Sequence, residues 1–584
     1  GEIIAVPKKK GDGRNITNTP GIADRDPAWS PDGKWVAWLS DQSGEYALQF
    51  RSPDGLGPVH VIDLGKPGSY FYSPRWSPDS KKIVLTDKRL NFWLIDIAHP
   101  TPQKIDTQKY EGGGFDSGWS EDSKWIAYVK ELENHFHAIF VYSLDQKKSF
   151  QVTDGRSDAS SPRFDRDGEY LYFLASTDAG IGNNNSEMSS MAHATSANVY
   201  AIVLKKDDPS PLAPESDEET DGGVSETDGA AATATTPAKK KKKKDEPAEV
   251  RIDVENIDQR IVALPIDRAN WSQLDVGKDA IFVADQPTVL TDEDYIVHSG
   301  GEGLHLGVFR YDPKKRKAEK FLEKIDYPRE YATFQVSADG KSVLYKEDDK
   351  FFIVDADKAP KDGDGKLDLD GVRVWVDPRA EWKQMFHEIW RVERDFLYDG
   401  KAHGLDLAKA EKLYEPFLES IGGRADLNVL FEDMLSNLVL GHVWAQGGTY
   451  PRQDRVSVGL LGADYKIENG HWRIARILKG ENWNPKLRAP LTQPGVDVKE
   501  GDYLLAIQGE KLDANDDPSR LLQGRVDRQT VITVAPDASD AHSRNVTVVP
   551  IGGEESLRLR TWMEDNRKKV TEMSNGRVGY VYIP

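Results

Sequence analysis

The first 375 residues alternate between polar turns and short apolar strands in a repeating pattern. Each copy has an aromatic or apolar residue, a Ser/Asp-x-Asp-Gly/Ser turn, and a run with apolar residues at every second position. Successive strong copies lie about 45 residues apart, which is the length of one four-stranded propeller blade. Four copies are strong and two are weaker, at 29–33, 76–80, 119–123 and 164–168, and then at 274–279 and 336–340. The pattern predicts a β-propeller over residues 1–376.

The ends of the repeat indicate how the ring closes. Six turn motifs and a strand-like run at residues 2–6 predict seven blades, one of them incomplete. A propeller hides its edges by joining its first and last blades, so we expect the apolar run at 371–376 to pair with the N-terminal strand. Residues 205–250 interrupt the repeat with small, acidic and lysine residues, including six lysines at 239–244. This composition predicts a disordered surface insertion.

After residue 377 the apolar spacing changes from two to about 3.6 residues, as expected for helices. Residues 380–397 place their large apolar side chains near one face: Trp382, Phe386, Ile389, Trp390, Phe396 and Leu397. Further helices are predicted at 406–421 and 426–440, on either side of a Gly-Gly break. We therefore predict a small helical domain over residues 377–455.

Strand-like runs return at about residue 456, and residues 501–510 read as the short strand and tight turn of a PDZ domain. We predict a PDZ-like domain over residues 456–552. PDZ domains take up peptide C-termini by adding a strand, while backbone N–H groups hold the carboxylate. The Gly-Leu-Leu-Gly loop at 459–462 is the candidate for that role. An ordinary buried hairpin is the alternative.

Residues 576–584 alternate like a β-strand, so residues 553–584 are predicted to begin a further α/β domain. Because the sequence starts at Gly1 without a methionine and stops within this strand, we expect both ends to be cuts in a longer protein. The predicted fold class is multidomain and mainly β. It consists of a seven-bladed β-propeller, a small helical domain, a PDZ-like domain and the start of an α/β domain.

Charge and composition exclude several classes of function. The sequence has 97 acidic and 77 basic residues, and its net charge of −20 repels nucleic acid and anionic lipid. The lysine run has acidic neighbours and fits a solvated loop better than a nucleic-acid patch. There are no cysteines, which removes thiol nucleophiles and cysteine zinc sites. No apolar run approaches the ~20 residues that span a bilayer.

His442 is the candidate catalytic residue. Imidazole, with an unperturbed pKa of ~6.5, can take a proton from a serine hydroxyl and return it to a leaving amine. A histidine near a helix end also commonly caps the helix or packs as a polar residue, so both roles are open. A zinc peptidase motif fails at His387-Glu388, because Arg391 stands where the second histidine is needed. We expect no metal and no other cofactor.

With a propeller, a helical segment and a PDZ-like domain in this order, the sequence resembles the tricorn protease family. The most specific stretches are 377–382, 390–399, 440–443 and 576–581. The resemblance implies a serine peptidase of oligopeptides, similar in its catalytic part to the C-terminal processing peptidases. It implies that His442 is the general base and that 553–584 begin the catalytic subdomain carrying the serine.

The resemblance also implies that the serine nucleophile and the acidic residue lie beyond Pro584, so this chain alone is expected to be inactive. Several family members have serine before the catalytic histidine, whereas this sequence has Gly441. Glycine has no hydroxyl to donate, so the support of the histidine must differ here.

For partners, the resemblance implies peptide or unfolded polypeptide substrates, a homo-oligomer, and downstream aminopeptidases as candidates. We expect neither nucleic-acid binding nor membrane insertion. The compartment is open between the cytoplasm, as in archaeal members, and the periplasm. Two rival functions are a non-enzymatic propeller and PDZ scaffold that binds peptides, and a TolB-like accessory propeller. The TolB-like propeller would account for residues 1–375 but not for the helical and PDZ-like parts.

Overall fold

The computed structural model describes residues 1–110, 115–178, 195–215, 248–286, 305–326, 334–348, 350–448 and 454–583. The chain divides into two compact units, Gly1–Gly448 and Thr449–Pro584. The lysine run at 239–244 lies outside the described residues. Within the described ranges, no helix is both long enough and apolar enough to cross a bilayer.

Antiparallel sheets follow one another along the first unit, each built from consecutive strands. A short pair, β1 (Ile4–Ala5) and β2 (Arg14–Asn15), comes first. Two four-stranded sheets follow: β3 (Asp24–Trp29), β4 (Val36–Ser40), β5 (Ala47–Arg51) and β6 (His60–Ile62), then β7 (Phe71–Trp76), β8 (Lys82–Asp87), β9 (Asn91–Asp96) and β10 (His99–Thr107). Two more are β11 (Ser117–Trp119), β12 (Trp125–Glu131), β13 (His137–Ser143) and β14 (Lys148–Gln151), then β15 (Asp158–Phe164), β16 (Tyr170–Ser176), β17 (Asn198–Val203) and β18 (Ile261–Ala263).

The last two sheets of the first unit are β19 (Trp271–Val276), β20 (Ile281–Asp285), β21 (His305–Asp312) and β22 (Lys317–Asp326), then β23 (Phe334–Val336), β24 (Ser342–Glu347) and β25 (Lys350–Asp355). This succession of sheets is a β-propeller architecture. Six blade sheets are present among the described residues, so the seven-bladed count stays a prediction.

The repeated turn closes a hairpin and, in the first three blades, also joins neighbouring blades. In the first blade the Ser30 hydroxyl donates to the Asp32 carboxylate at 2.7 Å and accepts from the Trp35 N–H at 2.9 Å. The Asp32 N–H donates to the hydroxyl of Ser80, in the turn of the second blade, at 3.1 Å. The second and third blades are joined by the corresponding bond between Asp79 and Ser123. In these three blades the polar turn therefore fixes both the hairpin and the spacing to the neighbouring blade.

Apolar side chains fill the space between neighbouring blades. Ile139 and Val141 of β13 share one buried cluster with Leu171 and Phe173 of β16. Equivalent clusters join the first blade to the second and the fifth to the sixth. Full burial of one large apolar side chain contributes about 1.5–3 kcal/mol, so stacking of the sheets stabilises the ring as well as the ladders within them.

The helical segment follows the predicted pattern. It contains α1 (Pro378–Phe396), α2 (Leu407–Tyr414), a 3₁₀ turn (Glu415–Ser420) and α3 (Arg424–Ser436). Asp377 caps α1 by accepting from the N–H groups of Arg379 and Ala380. The apolar face of α1 packs on α3 through Phe386, Trp390, Leu427 and Phe431. The three predicted helices are confirmed, although the last ends earlier than predicted, at Ser436.

A buried ionic cluster attaches α1 to the first blade. The guanidinium of Arg391, whose side chain is 8% exposed, forms ion pairs with Asp41 on the blade and Glu388 on its own helix. It also donates to the Gly44 carbonyl at 3.0 Å, and the Tyr46 hydroxyl donates to Glu388 at 2.9 Å. The helical segment and the first blade therefore share a charged, desolvated contact.

Both margins of the predicted insertion are ordered, so the prediction of disorder over 205–250 is wrong at its ends. The Arg316 guanidinium donates to the Ala213 carbonyl at 2.6 Å. On the other side, the Val250 N–H donates to the Asp122 carboxylate at 2.8 Å, and Val250 is 3% exposed. These margins find partners on other blades, which local composition does not reveal.

The predicted closing strand at 371–376 is also wrong. These residues form no strand, and β1 pairs instead with β2, with Ile4 opposite Asn15. Val372 does lie beside Gly13, so the segment reaches the N-terminal strands without forming a ladder with them. Period-two alternation shows which residues suit a strand, but a strand also requires a partner with matching register.

The second unit contains one antiparallel sheet, whose strands are not all adjacent in chain order, and a long helix. Its sheet order is β26 (Ala463–Glu468), β27 (His471–Ile477), β28 (Tyr503–Ile507), β30 (Thr530–Ala535) and β31 (Arg544–Val548), with β29 (Glu510–Lys511) paired to β28. Two helices belong to it, α4 (Pro518–Leu521) and α5 (Glu555–Met573). The core includes Leu461, Ile474, Leu504, Ile507 and Ile532.

The strand predicted at 576–584 is absent from its described part, residues 576–583. These residues follow α5 without joining a ladder, and Val581 and Ile583 are more than 80% exposed. No described segment runs beside them as a strand partner, and alternation alone cannot supply one.

Candidate functional site

His442 lies on a loop that follows α3. The loop starts at Leu438, which is fully buried, and returns to the surface before His442. His442 is exposed and has a left-handed backbone with φ of 58°. Because α3 ends at Ser436, His442 lies beyond the helix end. A cap or a packed polar residue is therefore not its structural role.

The loop conformation is strained before it reaches the histidine. Val439 is 85% exposed and also has a left-handed backbone, with φ of 54°. This region disfavours β-branched residues, and such a conformation costs on the order of 1–3 kcal/mol. The surrounding structure must therefore hold the loop in place.

Tyr398 and His403 supply part of that support. The His403 Nδ1 lies 3.0 Å from the Leu438 carbonyl, and its Nε2 lies 2.6 Å from the Tyr398 hydroxyl. A carbonyl can only accept, so Nδ1 carries a proton and donates to Leu438. Asp399 accepts from the N–H groups of Lys401 and His403, and these bonds lower the pKa of its carboxyl.

An apolar cluster holds the same loop from below. It is formed by Ala402, Leu435 and Leu438, with Leu440 and Val443 packed against it. The loop is thus fixed on one side by apolar contacts and on the other by the bond from His403. His403 was not predicted as a functional residue from the sequence. The sequence feature that could have indicated its role is a histidine directly before a glycine in the connection between two helices.

The His442 imidazole faces one aromatic ring and solvent. Its centroid is 6.0 Å from that of Trp444, which is 61% exposed. Among the residues that the structure describes, no group forms a hydrogen bond with this imidazole. No atom lies within 4 Å of the position that a Cβ at Gly441 would take, so there is room for a serine side chain there. The site offers an exposed imidazole that can exchange protons with a hydroxyl brought to it.

The described residues contain no cluster of three or more side chains suited to a metal ion. His387, part of the failed zinc motif, is instead 2.5 Å from the Glu411 carboxylate. Arg391, at the position of the missing ligand, belongs to the ionic cluster with the first blade. The contact between His387 and Glu411 therefore joins α1 to α2.

The loop 459–462 in the second unit is already hydrogen-bonded. The N–H groups of Gly459 and Leu460 donate to the carbonyls of Leu522 and Ile551 at 2.9 and 2.8 Å. The Gly462 N–H donates to the Glu554 carboxylate at 2.8 Å. Glu554 was not predictable from the sequence, because nothing in a single sequence links a glutamate to a loop 92 residues away along the chain.

The first unit contains a β-propeller and a helical segment that ends in a loop with an exposed histidine. The second unit contains a PDZ-like sheet. These parts define the class of multidomain proteins that have both a β-propeller and a PDZ-like domain. Family models place the chain more narrowly. Residues 1–357 match "Tricorn protease second beta propeller domain", residues 378–436 match "Tricorn protease C1 domain" and residues 459–553 match "Tricorn protease PDZ domain". The chain belongs to the tricorn protease family.

Individual relatives agree with this placement. The chain is 29% identical to tricorn protease homolog 1 of Streptomyces coelicolor, over 100% of this chain and 54% of the relative. It is 25% identical to the tricorn protease of Thermoplasma volcanium, over 94% of this chain and 49% of the relative. A crystal structure of the tricorn protease matches the fold with a TM-score of 0.76 at 20% identity, over 100% of this chain and 56% of that one. The chain spans about half the length of these relatives.

Proposed function

We propose that this chain is the propeller, helical and PDZ part of a tricorn-like serine peptidase that degrades oligopeptides. The observation that carries the proposal is the match to three consecutive domains of one family of proteases, in the family's order. The domains we propose are the propeller at 1–376, the helical subdomain at 377–455 and the PDZ-like domain at 456–552. Residues 553–584 would begin the subdomain that carries the serine.

His442 is the general base in this proposal. A serine hydroxyl is a weak nucleophile until a neighbouring base takes its proton. The exposed imidazole accepts that proton and returns it to the leaving amine. Support for this role comes from the exposed position of the ring and from the anchoring of its loop by His403. The nucleophile and the acidic partner come from residues outside this chain.

Peptides and unfolded polypeptides are the proposed substrates. A ring of blades leaves a central opening that admits extended chains and excludes folded proteins. We further propose a homo-oligomer, with downstream aminopeptidases as partners that would shorten the released peptides. The cytoplasm, as for archaeal family members, is one candidate compartment, and the periplasm is the other.

Three proteins test the peptidase and its base: this chain, a longer chain that includes the serine-bearing subdomain, and the longer chain with His442→Ala. Each is treated with a fluorophosphonate probe and with a short fluorogenic peptide. We expect labelling and turnover in the longer wild-type chain and a loss of at least 100-fold in the variant, in line with the removal of a general base.

His99→Ala in the longer chain is the matched control, because the His99 side chain is 90% exposed on β10. It should retain full activity. No labelling of any of these proteins would reject the peptidase and leave the peptide-binding scaffold. Labelling with unchanged turnover after His442→Ala would reject only the assignment of the base.

A further inference from the structure

The loop 459–462 has few backbone donors left for a ligand. A PDZ domain holds a peptide carboxylate with N–H groups that point into an open position. Here the N–H groups of Gly459, Leu460 and Gly462 all have acceptors within the second unit. Two of these acceptors are backbone carbonyls. The third is a carboxylate, the same chemical group that a peptide C-terminus would bring.

That carboxylate belongs to Glu554, which directly precedes α5. Glu554 is 8% exposed and is held from two sides. One oxygen accepts from the Gly462 N–H at 2.8 Å, and the other accepts from the Arg558 guanidinium at 2.6 Å. Arg558 also contacts Asp464, on the first strand after the loop, at 2.8 Å. Such charge-assisted hydrogen bonds compensate a buried carboxylate.

Apolar packing closes the same position. Leu557, one turn into α5, is 1% exposed and lies beside Gly462. It shares a buried cluster with Leu478 and Ala489. A peptide carboxylate could therefore reach the Gly462 N–H only by displacing the Glu554 carboxylate.

We propose that Glu554 is the built-in carboxylate ligand of the loop 459–462, so that the PDZ-like domain does not capture peptide C-termini while Glu554 is seated. The contact is an autoinhibitory one between the loop and the start of α5. It concerns the second unit alone and holds whether or not His442 is catalytic, so the two proposals stand or fall separately.

Fluorescence anisotropy on the full 584-residue chain tests the proposal. The probe is a fluorescein-labelled, alanine-rich hexapeptide ending in valine, made as the free acid and as the C-terminal amide. The wild type should bind the two forms with Kd values within twofold of each other. Glu554→Ala should bind the free acid at least tenfold more tightly than the amide. Glu555→Ala, which alters the exposed neighbouring carboxylate, should behave like the wild type.

Glu554→Gln preserves the shape of the side chain and should show an intermediate preference of about threefold, which covers the case in which Glu554→Ala fails to fold. Hydrogen–deuterium exchange of the fragment that spans 459–462 should become faster in both Glu554 variants. A wild type that already prefers the free acid tenfold would overturn the proposal. So would equal binding of acid and amide by the folded Glu554 variants, or unchanged exchange of the loop.

Discussion

One carboxyl group distinguishes the turn of the fourth blade from the preceding turns. Asp165 stands where the first three blades have serine: Ser30, Ser77 and Ser120. Its carboxylate accepts from the N–H groups of Glu169 and Tyr170 at 2.8 and 2.9 Å. Burial nevertheless dominates and raises the pKa of Asp165 to about 7. The blade turn therefore carries a group that titrates near neutral pH.

The stability of the first unit should depend on pH through this residue. Because the unfolded pKa of aspartate is ~3.9, the folded state retains a proton between about pH 4 and 7 that the unfolded state releases. The free energy of unfolding therefore falls as the pH rises through that window. Asp165→Ser removes this pH-dependent loss of stability. The difference in free energy of unfolding, variant minus wild type, should therefore increase by on the order of 1–3 kcal/mol from pH 4.5 to pH 8.

Denaturant unfolding at the two pH values measures the gain. Asp145→Ser is the control, since Asp145 is an exposed carboxylate in the third blade, outside this turn. It should change stability equally at both pH values. If Asp165→Ser also did so, the buried carboxyl would not be the source of the pH dependence.

The roles of some residues can be predicted from the sequence, whereas the roles of others depend on contacts that form only in the folded protein. The serine, aspartate and glycine of the repeated turn act on backbone groups within five residues, so their pattern can be read locally. Glu554 acts on Gly462 across the fold, and its role exists only after the sheet and α5 have packed. His442 could be proposed from the family resemblance, whereas its support by His403 depends on the distance from His403 to the Leu438 carbonyl.

At the scale of elements, the loop from 438 to 442 depends on a single side-chain bond on its polar side. In the longer chain that we propose to be active, we expect His403→Ala to lower kcat about tenfold while KM stays within twofold, because the loop that carries His442, the proposed base, loses its anchor. His403→Gln can still donate to the Leu438 carbonyl and should restore most of kcat. Steady-state kinetics on the three proteins gives the result.

Equal losses in the alanine and glutamine variants would show that the bond to Leu438 does not position His442. A change confined to KM would assign the residue to substrate binding instead. Thermal unfolding of both variants separates these outcomes from a general loss of structure.

The contact between α1 and the first blade should be sensitive to loss of its cation. Arg391→Met removes the cation from the buried carboxylate of Asp41 and the partly buried carboxylate of Glu388, which keep only neutral hydrogen-bond donors. Loss of the charged partner from such a site costs about 3–5 kcal/mol. Lys383→Met, on the same helix, removes an exposed cation and should cost about 1 kcal/mol or less. Denaturant unfolding compares the two variants. A smaller loss for Arg391→Met than for Lys383→Met would contradict the importance of the buried cluster.

Elements were predictable where their own residues determine them. The helices could be placed because capping residues such as Asp377 and Asp406 and the apolar spacing are local signals. The strand predictions at 371–376 and 576–584 failed because a strand depends on a partner elsewhere. The margins of the insertion were missed for the same reason, since Val250 is ordered by contacts with Asp122 and Trp125 on another blade.

At the scale of the whole molecule, the two compact units should unfold as separate cooperative transitions. The second unit has its own apolar core around Leu504, Ile507 and Ile532. A domain with its own core can fold alone. We expect the fragment 454–583 to fold and to show a midpoint of thermal unfolding within about 5 °C of one transition of the full chain, a shift worth about 1 kcal/mol for a domain of this size.

Circular dichroism of the fragment and calorimetry of the full chain test this expectation. An unfolded fragment, or a single transition in the full chain that the fragment does not share, would mean that the second unit depends on the first.

The hydroxyl of Ser80 serves two neighbours at once, because it sits in the turn of its own blade and receives the N–H of Asp32 from the blade before. A segment of about 45 residues that is copied within the gene would therefore bring along both halves of the joint, the donor for the next blade and the acceptor for the previous one. A ring that grows by duplication therefore needs no new kind of hydrogen bond between neighbouring blades. The similar spacing of the first four turns, in blades whose other residues differ widely, is what duplication would produce.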